Sequence, residues 1–335
     1  MKEQNPWLME VDKFALEDAV NRVNDAYKNF FEKRARFPKH ASKSKPQGNT
    51  YTTHFTNGNI AVIKDASGIP CIKLPKLGLV RFVLPKGTKF KDLVPEFTHI
   101  LKVTVRREGK RYIASLGLET VIDEIKPVTD FNTGDIIGMD MGLKDFCHYG
   151  TKEEKFSVAN PRFIKVHEKR LRKLQKALSR KQYDKKAHKG SKNYYKGKDR
   201  VAKEHRKIKN QRKDFHHKLS RKIVDRCKVF VCEDLNIRGM IKNRHLSKAI
   251  ASVGWGQFLM FVKYKMEREG KIFIKADRWL PSSQICSKCG HRNTAVKDLK
   301  IRAWDCPVCK THHDRDDNAV DNLILYAEQE LQKAA

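Results

Sequence analysis

No stretch of this chain stays apolar for the ~18 residues a bilayer span requires. Its first residues, MKEQNPWLMEVDKF, lack the apolar core of a secretory leader. Neither an amphipathic membrane face nor a lipid anchor stands out, so no membrane partner is expected. There is no internal repeat. Negative charge is scarce as well: 39 Asp and Glu stand against 71 Lys and Arg in 335 residues, a net charge of +32. That excess calls for a polyanion, and the commonest one inside a cell is nucleic acid. A cytoplasmic, nucleoid-associated location is the expectation. What the chain does have excludes a wholly disordered one: 39% of residues are hydrophobic, with 17 Phe, 9 Tyr and 4 Trp. The length suits about two domains.

The positive charge is concentrated. Residues 161–222 hold 25 Lys and Arg against 5 Asp and Glu, a net +20. Within them Ile164, Leu171, Leu174 and Leu178, then Val201, Ile208, Phe215 and Leu219, recur at helical spacing. The pattern predicts a helical hairpin with a thin apolar seam and a cationic outer face, closed by a mobile basic loop, KQYDKKAHKGSKNYYKGKD. Arg162, Lys165, Lys169, Arg172, Lys173, Arg206, Lys209, Arg212 and Lys213 are the candidate contacts to a nucleic-acid backbone. His216 and His217 are expected on the same basic face, and Tyr194-Tyr195 are candidates for base stacking.

Upstream, Asp12 is placed to cap a helix with apolar Leu16, Val20, Val23, Tyr27 and Phe30. A basic linker, FPKHASKSKPQGN, follows. From Thr50 to about Thr129 short alternating runs with turn signals such as Asn57-Gly58 predict a small antiparallel barrel. From Asp135 strands and helices alternate in an α/β layout.

Two clusters carry chemistry. Cys286-x2-Cys289 and Cys306-x2-Cys309, 16 residues apart, have the spacing of a four-thiolate zinc ribbon, a closed and therefore structural site. Cys71, Cys147, Cys227 and Cys232 read as buried small hydrophobes. Acids form the second cluster. Asp140 ends the apolar run in GMDMG, Glu233 ends VFVCEDLNI, and Asp314, Asp316 and Asp317 precede the last helix. Taken singly, each reads as a turn or cap residue. Together, at element ends in a basic chain, they would hold one or two Mg²⁺ for metal-assisted phosphodiester hydrolysis. His312 and His313 stand beside the third group. No base has a motif relation to Ser282 or Ser283, so a hydrolase triad is unsupported.

GMDMG, VCEDLNI and SSQICSKCG…WDCPVCKTHHDRDDNAVDN resemble the three RuvC motifs and zinc ribbon of the TnpB (OrfB) insertion-sequence proteins, relatives of the type V CRISPR effector nucleases. NPWLMEVDKFALEDAVNRVNDAYKNFF resembles that family's helical segment, and NGNI…IKLPKLGLVRFVLPKG its barrel segment. The resemblance implies an α/β and α+β multidomain chain. Residues 1–48 would be a helical, REC-like segment and 49–130 a β-barrel-like wedge domain. Residues 131–335 would be an RNase H-like (RuvC) nuclease domain, with the basic hairpin at 161–225 and the zinc ribbon at 284–312. It implies catalytic, metal-holding carboxylates at Asp140, Glu233 and Asp316, with Asp314 the fallback for the third. One structural zinc ion and one or two catalytic Mg²⁺ or Mn²⁺ ions are the implied cofactors. The implied partners are a guide RNA from the element end, double-stranded target DNA, and a separate element-encoded transposase. Family members begin further upstream, and this chain opens inside the helical segment. A truncated, non-cleaving regulator of transposition is therefore the alternative expectation.

Overall fold

The computed structural model describes residues 3–40, 50–84, 86–96, 98–184, 186–187, 189–298 and 300–334. In chain order, helix α1 (Lys13–Phe31) leads to six strands: β1 (Thr50–His54), β2 (Ala61–Lys64), β3 (Pro70–Leu74), β4 (Gly78–Arg81), β5 (Thr98–Glu108) and β6 (Arg111–Thr120). Strands β7 (Ile136–Met141), β8 (Asp145–Gly150) and β9 (Lys155–Ala159) precede α2 (Phe163–Ser179). The two-residue strands β10 (Tyr183–Asp184) and β11 (Lys189–Gly190) then lead into the long α3 (Lys192–Val224). Strand β12 (Val229–Glu233), helices α4 (Ile237–Met240), α5 (Ser247–Val253) and α6 (Trp255–Arg268), and β13 (Ile272–Ala276) follow. Strands β14 (Ala303–Asp305) and β15 (His312–Asp314) and helix α7 (Arg315–Ala334) complete the chain. Two compact units result, 1–123 with 180–202, and 124–179 with 203–335. No helix among the described residues is long and apolar enough to cross a membrane.

Among the described residues of the first unit the expected strands form, six in number, but not as a closed barrel. They make two three-stranded antiparallel sheets, β1-β5-β6 and β2-β3-β4. Closure requires every edge strand to find a partner, and among the described residues β2 and β4, only four residues each, pair only with β3. Ile60, Ile72, Leu74 and Val103 form the buried core of this unit. Asp12 stands at the N-cap position of α1 without a side-chain cap bond; its carboxylate instead accepts from the Tyr51 hydroxyl at 3.4 Å. Burial and the Asp12 charge push that phenol up to about 12. The apolar stripe of α1 is in place, yet none of its residues is buried, and Val20 is 60% exposed. The linker expected before β1 lies, over residues 41–49, outside the described residues.

The loop closing the basic hairpin is shorter than expected. Helix α3 starts at Lys192, so Tyr194 and Tyr195 are helical, and the Tyr183 and Tyr194 rings stack 4.7 Å apart. Asp184 Oδ1 accepts from the backbone N–H groups of Lys186 and Ala187, closing a turn between β10 and β11. An aromatic stack and a satisfied turn here offset the repulsion among the lysines. Lys185 and His188 of this loop lie outside the described residues.

The second unit is built on a five-stranded sheet in the order β13-β12-β7-β8-β9. Strands β7, β8 and β9 form an antiparallel meander, while β12 pairs parallel with β7 and β13 parallel with β12. Parallel strands covered on both faces read as continuous apolar runs, and Val229, Phe230, Val231 and Cys232 are all fully buried. One face packs against Leu219, Ile223 and Val224 of α3 and against Trp255, Phe258, Val262 and Met266 of α6. The other face is covered by Val320, Leu323, Ile324 and Ala327 of α7. Gly138 makes that second layer fit: a Cβ there would lie 2.6 Å from the Val320 carbonyl oxygen. Any side chain at 138 would push α7 off the sheet. Cys147, Cys227 and Cys232 are buried in this core, and Cys71 in that of the first unit, as the sequence predicts.

His216 is not on the basic face. It is fully buried beside Phe146 and Phe258, with Nε2 3.0 Å from the Val253 carbonyl oxygen. Burial lowers its pKa from 6.5 to about 4. The unfolded chain therefore binds the extra proton first, and stability is lost as pH falls from about 6.5 towards 4. The full effect is on the order of 3 kcal/mol. Denaturation midpoints across this range are expected to fall for the wild type more steeply than for His216→Phe. Identical slopes would show that His216 does not set the acid limit.

Candidate metal and nuclease centre

The sheet topology brings the acids together. Strand β7 ends in Asp140 and Met141, and β12, its parallel neighbour, ends in Glu233, so the two carboxylates leave the same edge of the sheet. Helix α7, drawn in over Gly138, starts at that edge with Asp316 in its first turn. Asp314 takes the cap: its Oδ1 accepts from the N–H of Asp316 at 2.9 Å and of Asp317 at 3.1 Å. That leaves Asp316 to face Asp140 electrostatically.

Burial, then Glu233, then Asp316 push Asp140 up to about 8, against the pull of Arg315. Burial likewise raises Glu233, offset by Ser282, whose Oγ donates to Glu233 Oε1 at 2.6 Å, and by Arg315. Asp140 and Glu233 are thus both held above the ordinary carboxylate range, and a cation would relieve them. Arg302 supplies part of that charge, with Nη1 3.3 Å from Asp316 Oδ2. The donor set, hard carboxylate oxygens only partly neutralised, fits a divalent ion such as Mg²⁺ or Mn²⁺.

His148, which no sequence motif marks, lies beside these acids. It lies directly across from Asp140 in the β7–β8 register, with Nε2 3.5 Å from Asp316 Oδ2 and 3.3 Å from Ser157 Oγ. Only the antiparallel register reveals it, since HYG carries no motif of its own. The expected histidines go elsewhere. His313 is buried with Nε2 3.0 Å from Cys286 Sγ, His312 pairs with Asp305, and His217 stacks on Phe261 at 4.0 Å.

The four cysteines meet as the spacing predicts. Among the described residues they are the one group of three or more His, Cys, Asp or Glu whose ligand atoms all lie within 4.8 Å of one another. Cys286 and Cys309, and likewise Cys289 and Cys306, are 3.6 Å apart at sulfur. Tetrahedral zinc with Zn–S bonds of about 2.3 Å needs sulfurs about 3.8 Å apart, so the set fits that ion. Each knuckle closes the same way: Gly290 N–H bonds the Cys286 carbonyl and Lys310 N–H the Cys306 carbonyl, both at 2.9 Å and both with positive φ. Asn318 and Asn322 of α7 tie the ribbon down through the carbonyl of Ile285.

On the hairpin, Lys165, Lys169 and Lys173 are exposed along α2, as are Arg162 before it and Lys209 and Lys213 on α3; Arg206 is half-buried. Arg172 is exposed and pairs with Glu168 at 3.0 Å. Arg212 differs, because its guanidinium donates to the carbonyls of Ala251 and Ser252 at the end of α5. Its Nη1 thereby satisfies carbonyls at a helix terminus. The seam holds a polar core that the apolar pattern does not announce: His167 Nδ1 lies 2.6 Å from Glu204 Oε1, and Arg170 Nε lies 3.1 Å from Oε2 of the same carboxylate.

Comparison with known proteins supplies the lineage. Residues 119–244 match the OrfB family profile, described as "Probable transposase", and residues 255–323 match the Cas12f1-like TNB domain. A protein of Streptomyces pristinaespiralis named "Putative RNA-guided DNA endonuclease" is 32% identical over 327 residues, covering 96% of this chain and 73% of its own length. The chain belongs to the TnpB (OrfB) family. Another family member, the similarly named InsQ of Escherichia coli K12, is 26% identical over 341 residues, covering 96% and 76% of the two chains. The TnpB-like protein L79 of Acanthamoeba polyphaga mimivirus is 24% identical over 203 residues, 56% of this chain and 36% of its own. Among solved structures, the Cas12f1–sgRNA–target DNA complex aligns with a TM-score of 0.55 at 16% identity, covering 89% of this chain and 67% of that one. At that identity the likeness is one of fold.

Proposed function

We propose that this TnpB-family chain is a transposon-encoded, RNA-guided DNA endonuclease whose RuvC-type centre is Asp140, Glu233 and Asp316. The observation that carries the reading is the meeting of these three acids, from β7, β12 and α7, at one edge of an RNase H-like sheet. Those carboxylates would hold one or two Mg²⁺ or Mn²⁺ ions, which supply Lewis-acid stabilisation and an activated water for phosphodiester hydrolysis. The chain's own part is positional. Ser282 fixes the Glu233 carboxylate, Asp314 caps α7 and so aims Asp316, and Arg315 offsets the negative charge. The exposed cations of α2 and α3 attract guide and target backbones without reading sequence, which base pairing would do. The cysteine ribbon would carry one structural zinc. Excision and integration would fall to a separate element-encoded transposase, and the site of action would be the nucleoid.

The test is to purify the full chain with co-expressed RNA from the end of its element and incubate it with plasmid carrying the matched sequence beside a randomised flank. Linear plasmid is expected with Mg²⁺ and none with EDTA. A wild-type protein that retains RNA yet cuts no more than Asp140→Ala would overturn the nuclease reading in favour of a non-cleaving regulator. Ser282→Ala removes a hydrogen bond to a charged group, worth roughly 1.5–3 kcal/mol. Single-turnover cleavage is expected to slow about 10- to 100-fold with RNA binding unchanged. Cleavage at the wild-type rate would mean that Glu233 needs no such support.

A further inference from the structure

The turn that joins β13 to the ribbon carries a residue the catalytic reading leaves unused. Of the four tryptophans, Trp255 and Trp304 are packed into cores, Trp7 is 58% exposed and Trp279 is 85% exposed. Leaving an indole in water forgoes one of the largest burials any side chain can offer. The ring is nonetheless presented on a fixed support. Trp279 N–H bonds Asp277 Oδ1 at 2.7 Å, Leu280 N–H bonds the Asp277 carbonyl at 3.1 Å, and Leu280 packs beneath against the α7 core. Asp234, next in sequence to Glu233, takes ion pairs from both Lys275 and Arg278. Three residues after Trp279, Ser282 reaches Glu233 itself. The same short turn therefore positions a metal-holding acid and displays a free aromatic face.

We propose that Trp279 stacks on an unpaired nucleobase of the DNA strand being cut, holding that strand at the carboxylate centre. The proposal rests on the nuclease reading above and adds a substrate contact to it. The surroundings favour a base over a protein partner. Trp279 stands among exposed Lys275, Asp277 and Arg278, not in an apolar patch of the kind that docks proteins. One flat ring displayed among polar and charged side chains offers a face on which a base of any identity can stack. Stacking is also tolerant of sequence, as a cutter guided by base pairing requires. Lysines along a helix hold a backbone as point charges and leave it free to slide; a stacked ring fixes one nucleotide.

The experiment uses the full chain and a short oligothymidylate at high salt, which suppresses binding by the basic hairpin. Wild-type tryptophan fluorescence is expected to be quenched on binding, and Trp279→Phe to lose that quench while keeping affinity within about 3-fold. Trp279→Ala is expected to bind about 5- to 100-fold more weakly with an unchanged melting temperature. Affinity for oligothymidylate within 2-fold of wild type would overturn the proposal. A loss confined to the matching oligouridylate would assign the ring to RNA and overturn it equally. In the guide-loaded complex Trp279→Ala is expected to slow cleavage while leaving target-duplex binding intact. Should the wild type fail to cut at all, the nuclease reading falls, and the oligonucleotide measurement still decides the role of Trp279.

Discussion

Asp140→Ala is expected to reduce guide-dependent cleavage by ~10³-fold or more while RNA binding is retained. The carboxylate feels both of the other two, so its loss removes the residue through which the set acts together. The same change is expected to stabilise the metal-free protein. Burial, Glu233 and Asp316 all hold Asp140 well above the ordinary carboxylate range. For an acid whose folded pKa is raised, the native state binds the proton that the unfolded chain releases, so ionisation costs stability as pH rises from about 4 towards 8. Removing the group should raise the melting temperature in EDTA by a few degrees at neutral pH. Mg²⁺ should then raise the wild-type midpoint and leave that of the variant in place. A variant that cuts at more than a few per cent of the wild-type rate would remove Asp140 from the centre. One that is less stable in EDTA would show that Asp140 has a structural role the electrostatics do not predict.

What could be read in advance was local. An apolar run that ends in an acid marks a strand whose end faces something polar, and β7 and β12 came through intact, down to Asp140 and Glu233. Two Cys-x2-Cys pairs have few structural uses, and the four sulfurs meet. The two long helices α2 and α3 followed from a 3.6-residue period, with Ile208 and Leu219 buried on α3. What was hidden depends on partners far away in sequence. His148 enters the centre only through its register opposite Asp140, and a one-residue slip would turn it to the other face. Arg212 looked like any other cation until α5 brought two carbonyls to it. His216 looked cationic beside its lysines, but the core formed by Phe146 and Phe258 takes it. Asp314 and Asp316 are indistinguishable as types; in the fold Asp314 caps the helix while Asp316 acts on Asp140. The barrel failed to close for a related reason, since alternation predicts strands but not which edges find partners.

Cys306→Ser is expected to cost the chain its zinc and the ribbon its fold. Apart from its ligands, the ribbon's hydrophobic cluster is Val296, Trp304 and partly buried Ile301, far too little to hold some thirty residues together. Structural zinc contributes roughly 10–16 kcal/mol in comparable small sites, so an ion held by the four thiolates, and not the core, would carry this fold. Cys306 is fully buried, and a serine there offers a poor ligand in a place water does not reach. The rest of the second unit keeps its own two clusters on either side of the sheet and should melt nearly as before. The damage to function should nevertheless exceed the damage to stability. Asn322 ties α7 to the carbonyls of Ser282 and Ile285, and Arg302 in the ribbon pairs with Asp316, so an unfolded ribbon loosens two of the three acids. Cleavage is expected to fall at least 10-fold, metal analysis to show no zinc, and Trp304 emission to shift red. A Cys306→Ser protein that retains one zinc per chain with unchanged emission would mean that three thiolates and His313 suffice. One that loses zinc yet cuts normally would separate the ribbon from the positioning of Asp316 and Glu233.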